Sequence, residues 1–277
     1  MRDKRVSNFI QTALLAILSI LVIYPIVWLI SNSLKTPAEM VTRSWRLIPN
    51  PVVWENYPEA WEIGRIGQSL SNSATVSIIA VIILILSAFL ASYALARIRF
   101  TGRNIILVMF ISMWMMPLQI FVIPLFRLMS FFEITNSLYG MALPYAAASL
   151  PFAIFVLSTF IRSLPVEIEE AGFIDGASRL QIIVQIVAPL CKPAISAVII
   201  FSVLSFWNEL FLALVLLRDP ALRTLPVAVL AFNGQWGHTD FTRLYAALVI
   251  ACIPTIIVYL IFQRQFVAGL TSGAVKA

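Results

Sequence analysis

Charged residues are scarce in this chain of 277 residues, of which 12% are Asp, Glu, Lys or Arg and 61% are hydrophobic. A soluble globular domain carries about 25% charged and about 45–50% apolar residues. The composition therefore argues against a cytosolic enzyme, and it excludes a disordered chain, which needs low hydrophobicity and high charge.

Residues that build metal and nucleotide sites are also few. Cys191, Cys252 and a single histidine, His238, provide neither a disulfide framework nor a metal motif. A phosphate-binding loop needs two glycines five positions apart, and no pair among the 10 glycines has that spacing. The 19 Lys and Arg include no run of five, so the net charge of +6 does not indicate a nucleic-acid partner. We expect no metal, no cofactor and no catalytic activity in this chain.

The sequence contains several long apolar runs. A membrane-spanning helix needs about 20 mostly apolar residues. The pattern predicts an all-α membrane protein with six transmembrane helices. They lie at about residues 9–30, 75–96, 105–126, 138–161, 193–217 and 244–263.

The spans divide the chain into an N-terminal part, a core and a tail. Residues 1–68 hold the first span, interpreted as a retained signal anchor, and the first extracytoplasmic loop. Residues 69–264 form the core, interrupted by a polar loop at 162–192, and residues 265–277 form a tail.

The charges that flank the first spans predict the orientation. Six spans place both termini on one side, and Arg2, Lys4 and Arg5 precede the first span. Basic residues concentrate in cytoplasmic segments, so we expect a multi-pass protein of the cell membrane, surrounded by lipid, with both termini cytoplasmic.

The polar loop at 162–192 predicts a helix, a turn and a second helix. Pro165 suits a first helical turn, and the carboxylates of Glu167, Glu169 and Glu170 are favoured near a helix N-terminus. Gly176, after Asp175, is a break signal because glycine tolerates a left-handed backbone. The second helix is expected to start near Ala177 or Ser178 and to end at Pro189. Its predicted apolar stripe consists of Leu180, Ile183, Val184 and Val187.

Two interpretations of this loop stay open. It is a connector that lies on lipid, or it is a docking surface for another protein. The acidic residues favour docking, because helices at a membrane surface usually carry Lys and Arg on their polar face.

The same loop resembles the EAA loop of permease subunits in binding-protein-dependent ABC importers. The family pattern is E-A-A, three residues, G, nine residues, I-x-L-P, and this chain matches its spacing, with Gly172 in place of Ala and Ala188 in place of Leu. WNELFLALVLL, in the fifth span, and QRQFVAGLTSGAVKA, at the end, resemble the small permease subunit of maltose-type carbohydrate importers. The coupling residues implied by the resemblance are Glu170, Ala171, Gly172, Asp175, Gly176, Ile186 and Pro189.

The resemblance implies a type I ABC importer transmembrane fold and a set of partners. These are a sister permease in a heterodimer, two ATPase subunits that bind ATP and Mg, an extracytoplasmic solute-binding protein and a carbohydrate substrate. It also implies that the tail, with Gly269, Leu270 and Gly273, lies between the ATPase subunits. An outer loop is implied to contact the binding protein, through Asn233, Gly234, Trp236 and His238.

Glu209 is the one charged residue inside a predicted span. A carboxylate at the bilayer centre costs about 2.5–3.5 kcal/mol on insertion scales, so such residues normally face a cavity or a partner. With Trp207 and Asn208 it forms a polar and aromatic group that suits a sugar. The alternatives are a clamp between helices or a side chain that reaches the outer interface. Trp114 and the methionines at 113, 115 and 116 are interpreted as packing.

Function remains open between two main classes. The first is the membrane-spanning subunit of an ATP-driven importer, which with its sister permease forms the path for a carbohydrate such as a di- or oligosaccharide. The second is a secondary transporter or channel that works without an ATPase; such proteins often show inverted repeats, and none is evident in this sequence. A non-transporting membrane scaffold is a third possibility.

Overall fold

The structure is a computed structural model that describes residues 2–232 and 239–274, with side chains described for 11–232 and 239–263. The described residues are mostly helical. The helices are α1 (Arg2–Ser33), α2 (Pro37–Arg43), α3 (Asn56–Ile63), α4 (Ile66–Arg97), α5 (Arg103–Trp114), α6 (Val122–Phe131), α7 (Leu138–Ser163), α8 (Glu167–Ile174), α9 (Arg179–Gln181), α10 (Ala188–Leu190), α11 (Lys192–Trp207), α12 (Phe211–Leu216), α13 (Leu225–Val229) and α14 (Phe241–Ala274). Short 3₁₀ segments lie at Leu118–Phe121, Pro220–Leu222 and Leu230–Phe232, and Ile182–Val187 is wound as a π-helix.

Four of these helices are long and apolar enough to cross a membrane, namely α1, α4, α7 and α14. Two bent pairs also qualify when each pair is taken as one span. The first joins Arg103–Trp114 to Leu118–Phe131 with a bend of 98°, and the second joins Arg179–Leu190 to Lys192–Trp207 with a bend of 74°. The described residues therefore hold up to six spans, in agreement with the predicted all-α membrane fold.

The third predicted span, at about 105–126, is not one continuous helix. α5 ends at Trp114, and Pro117 adopts an extended conformation with φ −62° and ψ 130° before the chain turns into the next helical segment. Proline disfavours helical geometry in the residue before it, so the break falls at Met115–Met116.

The fifth predicted span, at 193–217, is also interrupted. α11 ends at Trp207 and α12 begins at Phe211, so Glu209 lies between two helices rather than inside one. The second helix of the polar loop differs as well, because it does not end at Pro189 but continues to Leu190. Pro189 lies in the first turn of α10, where a missing N–H group is tolerated.

Packing within the chain separates two units, Met1–Gly67 with Ala228–Pro254 and Gln68–Val227 with Thr255–Ala277. The domain boundary expected between residues 68 and 69 stays a prediction. In the first unit the described part of α1 is largely exposed, and Trp28 packs edge-on against Tyr245 with 5.4 Å between ring centroids.

A buried lysine organises the segment after α1. The Lys35 Nζ group is fully buried and donates to Asn32 Oδ1 at 2.8 Å. It also donates to the carbonyl oxygens of Arg43, Ser44 and Arg46 at 3.2, 3.0 and 2.6 Å. Burial lowers the pKa of Lys35, and the charge of Glu39 partly opposes that shift. The four acceptors satisfy the ammonium group without a carboxylate in hydrogen-bond contact.

The second unit has a core of small and branched side chains. Val76, Ala80, Leu84 and Ala88 recur every four residues on α4 and are fully buried. Buried alanines such as Ala153 on α7 let neighbouring spans approach closely, as small residues do in membrane bundles. The polar loop and the helix breaks after Trp114 and Trp207 lie in the same unit as this core.

Candidate functional site

The polar loop folds into an elbow, defined here as Glu167–Leu190, that consists of α8, a turn and the helical segment to α10. The two faces of α8 differ. Glu169 and Gly172 are buried, whereas Glu170, Phe173 and Ile174 are exposed, with Ile174 at 86%. One face of α8 therefore packs within the second unit, and the other face exposes a carboxylate and apolar side chains.

The turn of the elbow has the predicted left-handed glycine. Gly176 has φ +83°, a conformation that residues with a Cβ resist. The next helix begins with a capping box, in which the Ser178 side chain accepts from the Gln181 N–H group and the Gln181 side chain accepts from the Ser178 N–H group. Asp175 ends α8 and is exposed.

Gly172 marks the place where the elbow is most tightly packed. A Cβ at this position would stand 2.8 Å from Ile186 Cδ1 and 3.4 Å from Ile182 Cγ1. An alanine, which the resembling family has here, would therefore require Ile186 to move. The close approach explains why glycine suits this chain.

The structure divides the predicted apolar stripe of the second helix between two faces. Ile183 and Val187 are buried, whereas Leu180 and Val184 are exposed at 65% and 57%. The π-helical winding of Ile182–Val187 places more residues in each turn than an α-helix does. Residues four apart therefore still share a face, whereas residues three apart, such as Leu180 and Ile183, do not.

A buried ion pair that sequence reasoning missed anchors the elbow to α4. Arg97 Nε donates to Glu169 Oε1 at 2.6 Å, and the Tyr93 hydroxyl donates to Glu169 Oε2 at 2.9 Å. The side chains of Arg97 and Glu169 are 11% and 7% exposed. The spacing of Glu169 and Gly172, which places both on one helical face, is the sequence signal that distinguishes Glu169 from its acidic neighbours.

Glu209, the predicted path residue, is held by groups of the chain itself. Its Oε1 atom accepts from the Leu212 N–H group at 2.9 Å, and its Oε2 atom accepts from the Ala213 N–H group at 3.2 Å. The Tyr145 hydroxyl donates to Oε2 at 3.0 Å. The carboxylate thus caps the N-terminus of α12, which explains how a charge is kept within an apolar segment.

The neighbours of Glu209 are placed differently. Asn208 is exposed and donates from Nδ2 to the Leu204 carbonyl oxygen at 2.8 Å, while Trp207 is half-buried. The three predicted path residues are adjacent in sequence, yet the described hydrogen bonds of Asn208 and Glu209 point to separate partners.

A cavity of about 670 Å³ opens among α5, α6, α7 and α11. Trp114, Phe121, Phe152 and Phe201 line it. Trp114 packs against Phe152 with ring centroids 5.5 Å apart but keeps 53% of its surface exposed. Trp114 was expected to be packing; it is also a wall of this cavity.

Besides the indole N–H group of Trp114, the polar side-chain groups of the described residues that line the cavity are three hydroxyl groups. They belong to Ser149, Ser202 and Ser205. Ser202 is 2% exposed, and its Oγ atom has no hydrogen-bond partner among the described residues. No described lining residue is charged. The cavity offers aromatic faces and hydroxyl groups, the chemistry that contacts an uncharged sugar ring.

Two predicted sites fall wholly or partly outside the described residues. The loop residues Asn233, Gly234, Trp236 and His238 are among them. The backbone of the tail is helical through Ala274, because α14 continues through Gly269, Leu270 and Gly273, but their side chains are not described. Within the described ranges no group of acidic, histidine and cysteine side chains could hold a metal ion.

Comparisons with known proteins show which family this chain resembles. Residues 83–272 match the model of the binding-protein-dependent transport system inner membrane component. The sulfoquinovosyl glycerol transport system permease protein SmoH of Agrobacterium fabrum is 35% identical, over 92% of this chain and 89% of its own length. The trehalose transport system permease protein SugB of Mycobacterium tuberculosis is 36% identical, over 91% of this chain and 92% of its own length.

A solved structure has the same fold. It is a chain of a bacterial ABC transporter involved in the import of the acidic polysaccharide alginate. The two chains are 25% identical and superpose with a TM-score of 0.82, over 96% of this chain and 98% of the other.

Proposed function

This chain belongs to the binding-protein-dependent transport system inner membrane components, and on that premise we propose that it is the membrane-spanning subunit of an ATP-driven sugar importer. Relatives named for a trehalose and for a sulfoquinovosyl glycerol transport system support a carbohydrate substrate. The proposed partners are a sister permease, two ATPase subunits that supply ATP and Mg chemistry, and an extracytoplasmic solute-binding protein.

The observation that carries this proposal is the two-faced elbow. One face of α8 is buried in the chain, and the other presents Glu170, Phe173 and Ile174 to the outside. A surface that mixes a carboxylate with large apolar side chains, beside a rigid turn at Gly176, suits docking by a soluble ATPase better than contact with lipid. The coupling function is assigned to Glu170, Gly172, Gly176 and the residues that pack beneath them.

The proposed orientation follows from the same assignment. Because ATP is cytoplasmic, the elbow is on the cytoplasmic side, and both termini lie on that side in the cell membrane. A reporter fused after Glu55 is expected outside, and one fused after Asp175 inside. The opposite pattern would contradict the docking proposal together with the topology.

The sugar path is proposed to use the cavity and the break in the fifth span. Trp114 and Phe201 offer faces on which a sugar ring can stack, and Ser205 offers a hydroxyl group at an exposed position. Trp207, Asn208 and Glu209 stay candidates for this path. Trp114→Ala is expected to lower uptake, with Trp45→Ala, which alters an exposed tryptophan in the other unit, as the matched control.

The remaining assignments rest on the family resemblance. Asn233, Gly234, Trp236 and His238 are proposed to contact the binding protein. Gly269, Leu270 and Gly273 are proposed to lie at the ATPase subunits. Deletion of residues 270–277 is then expected to weaken the complex without affecting membrane insertion.

The test is reconstitution. The tagged chain is purified in mild detergent, the proteins that accompany it are identified, and the complex is placed in liposomes with labelled trehalose, sulfoquinovosyl glycerol and an alginate oligosaccharide as probes. ATP-dependent uptake with a co-purified ATPase supports the proposal. Transport by the chain alone, without ATP, would instead identify a secondary transporter or channel.

A further inference from the structure

The ion pair between α4 and the elbow explains how movement of the elbow can reach a membrane span. We infer that Arg97 and Glu169 are positioning residues that make α8 and the C-terminal end of α4 move as one body. The inference rests on the proposed function, since it concerns how an ATPase that docks on the elbow changes the membrane-spanning part.

The covalent chain does not provide this link. Only Leu164, Pro165 and Val166 separate α8 from α7, so the backbone connects the elbow to α7. α4 ends at Arg97, roughly 70 residues earlier in the sequence. A connection between the elbow and α4 therefore depends on side chains.

Arg97 makes that connection at two points. Its Nε atom donates to Glu169 on α8, and its Nη2 atom donates to the Leu164 carbonyl oxygen, in the linker before α8, at 2.9 Å. Tyr93, one turn earlier on α4, donates to the second carboxylate oxygen of Glu169. Three hydrogen bonds with fixed directions thus hold α8 and its linker to the end of α4.

Because the ion pair is buried, a positioning role for Glu169 can be distinguished from direct contact with the ATPase. Glu169 is on the inner face of α8, so an ATPase on the outer face contacts Glu170 and Phe173 rather than Glu169. A pair of apolar side chains could fill the same space at little cost in stability, but it would not fix one geometry as a guanidinium and a carboxylate do. Among the described residues of the second unit, this is the one ion pair.

The experiment uses the complete complex in nanodiscs, with the purified binding protein as the probe. Two quantities are measured on each preparation: the ATPase retained per chain, and the ratio of binding-protein-stimulated to basal ATP hydrolysis. Glu169→Gln is compared with Glu167→Gln, which removes the same charge from an exposed position on the same helix. Arg97→Glu combined with Glu169→Arg tests whether a reversed pair restores the ratio.

The expected result is that Glu169→Gln retains its ATPase while the stimulation ratio falls by about tenfold, a size typical of coupling between sites. Glu167→Gln keeps the wild-type ratio, and the reversed pair recovers part of it. A wild-type ratio in Glu169→Gln overturns the inference. An equal loss in Glu167→Gln also overturns it, because the effect would then follow charge rather than the pair.

If Glu169→Gln does not assemble into the complex, two milder variants test the inference. Glu169→Asp and Tyr93→Phe each remove part of the hydrogen-bond set, and each is expected to lower the ratio partially. Unchanged ratios in both would overturn the inference. Absence of any ATPase from the wild-type complex would instead refute the proposed function, so the two failures are distinguishable.

Discussion

Two carboxylates in this molecule, Glu169 and Glu209, are sheltered in similar ways but placed differently. Each accepts a hydrogen bond from a tyrosine on another helix, Tyr93 in one case and Tyr145 in the other. Glu169 is then neutralised by a guanidinium group across an interface between elements, whereas Glu209 accepts backbone N–H groups from the helix that follows it. The first arrangement joins distant parts of the chain, and the second stabilises a local break.

Apolar surroundings in the sequence do not by themselves mark a functional charge. Glu209 stands out in an apolar segment, yet its position at a helix N-terminus accounts for it. Glu169 is one of several acidic residues in its segment. Compared with Glu209, however, it is the more deeply buried, and it is the one of the two that forms an ion pair.

The largest expected effect comes from breaking the ion pair on one side. Arg97→Met leaves the buried Glu169 carboxylate without its guanidinium partner and is expected to destabilise the protein by about 3–5 kcal/mol. Thermal unfolding in detergent measures the loss. Arg99→Met, at an exposed position two residues on, is the control and should change little.

The double variant Arg97→Met with Glu169→Met sharpens this test. Replacement of both charges by apolar side chains is expected to restore most of the stability. A double variant as unstable as the single one would show that the surrounding packing, not the uncompensated charge, sets the cost.

A smaller effect is expected at the second carboxylate. Glu209→Leu leaves the N–H groups of Leu212 and Ala213 without their acceptor, at a cost of about 1–3 kcal/mol. Uptake and complex yield are measured on the same preparations. Reduced yield with normal uptake per complex identifies a clamp, and normal yield with reduced uptake identifies a path residue.

Glu209→Gln separates charge from hydrogen bonding, because it keeps one acceptor oxygen and removes the charge. A mild phenotype means that hydrogen bonding is what the site needs. Full yield and full uptake in Glu209→Leu would contradict both roles.

The turn of the elbow offers a matched pair of glycines. Gly176 and Gly102 have φ +83° and +88°, and each has open space where a Cβ would stand. Alanine at either site is expected to cost about 1–2 kcal/mol in backbone strain. Only Gly176→Ala should reduce the ATPase retained in pull-downs, so equal reductions would mean that general instability is the cause.

The smallest effect is expected at Asp240, a partly exposed carboxylate in contact with Arg243. Burial raises the pKa of Asp240, but hydrogen bonds from Arg243 and Thr242 outweigh that shift and leave the pKa below its ordinary 3.8. Because the folded-state pKa is lowered, the stabilisation is present above about pH 3.8 and is lost as the pH falls through the lowered value.

Asp240→Asn should therefore cost about 0–1 kcal/mol at neutral pH. The difference in melting temperature from wild type should shrink in acid. A difference that persists at low pH would mean that the carboxylate acts through packing rather than charge.

The class of the fold and the position of the elbow follow from the amino-acid sequence alone. Low charge and six apolar runs specify membrane-spanning helices because lipid excludes unpaired polar groups. The carboxylates after Pro165 and the glycine at 176 specify a helix that starts and a turn that follows, since both are local properties of the backbone.

Which residues within those elements form the long-range contacts depends on how the helices pack. The break between Trp207 and Phe211, the π-helical winding that divides the predicted stripe, and the cavity beside Trp114 depend on neighbouring helices. The pairing of Arg97 with Glu169 joins residues far apart in the chain. Local periodicity carries no information on such contacts, because they arise when packed helices bring distant side chains within a few ångströms.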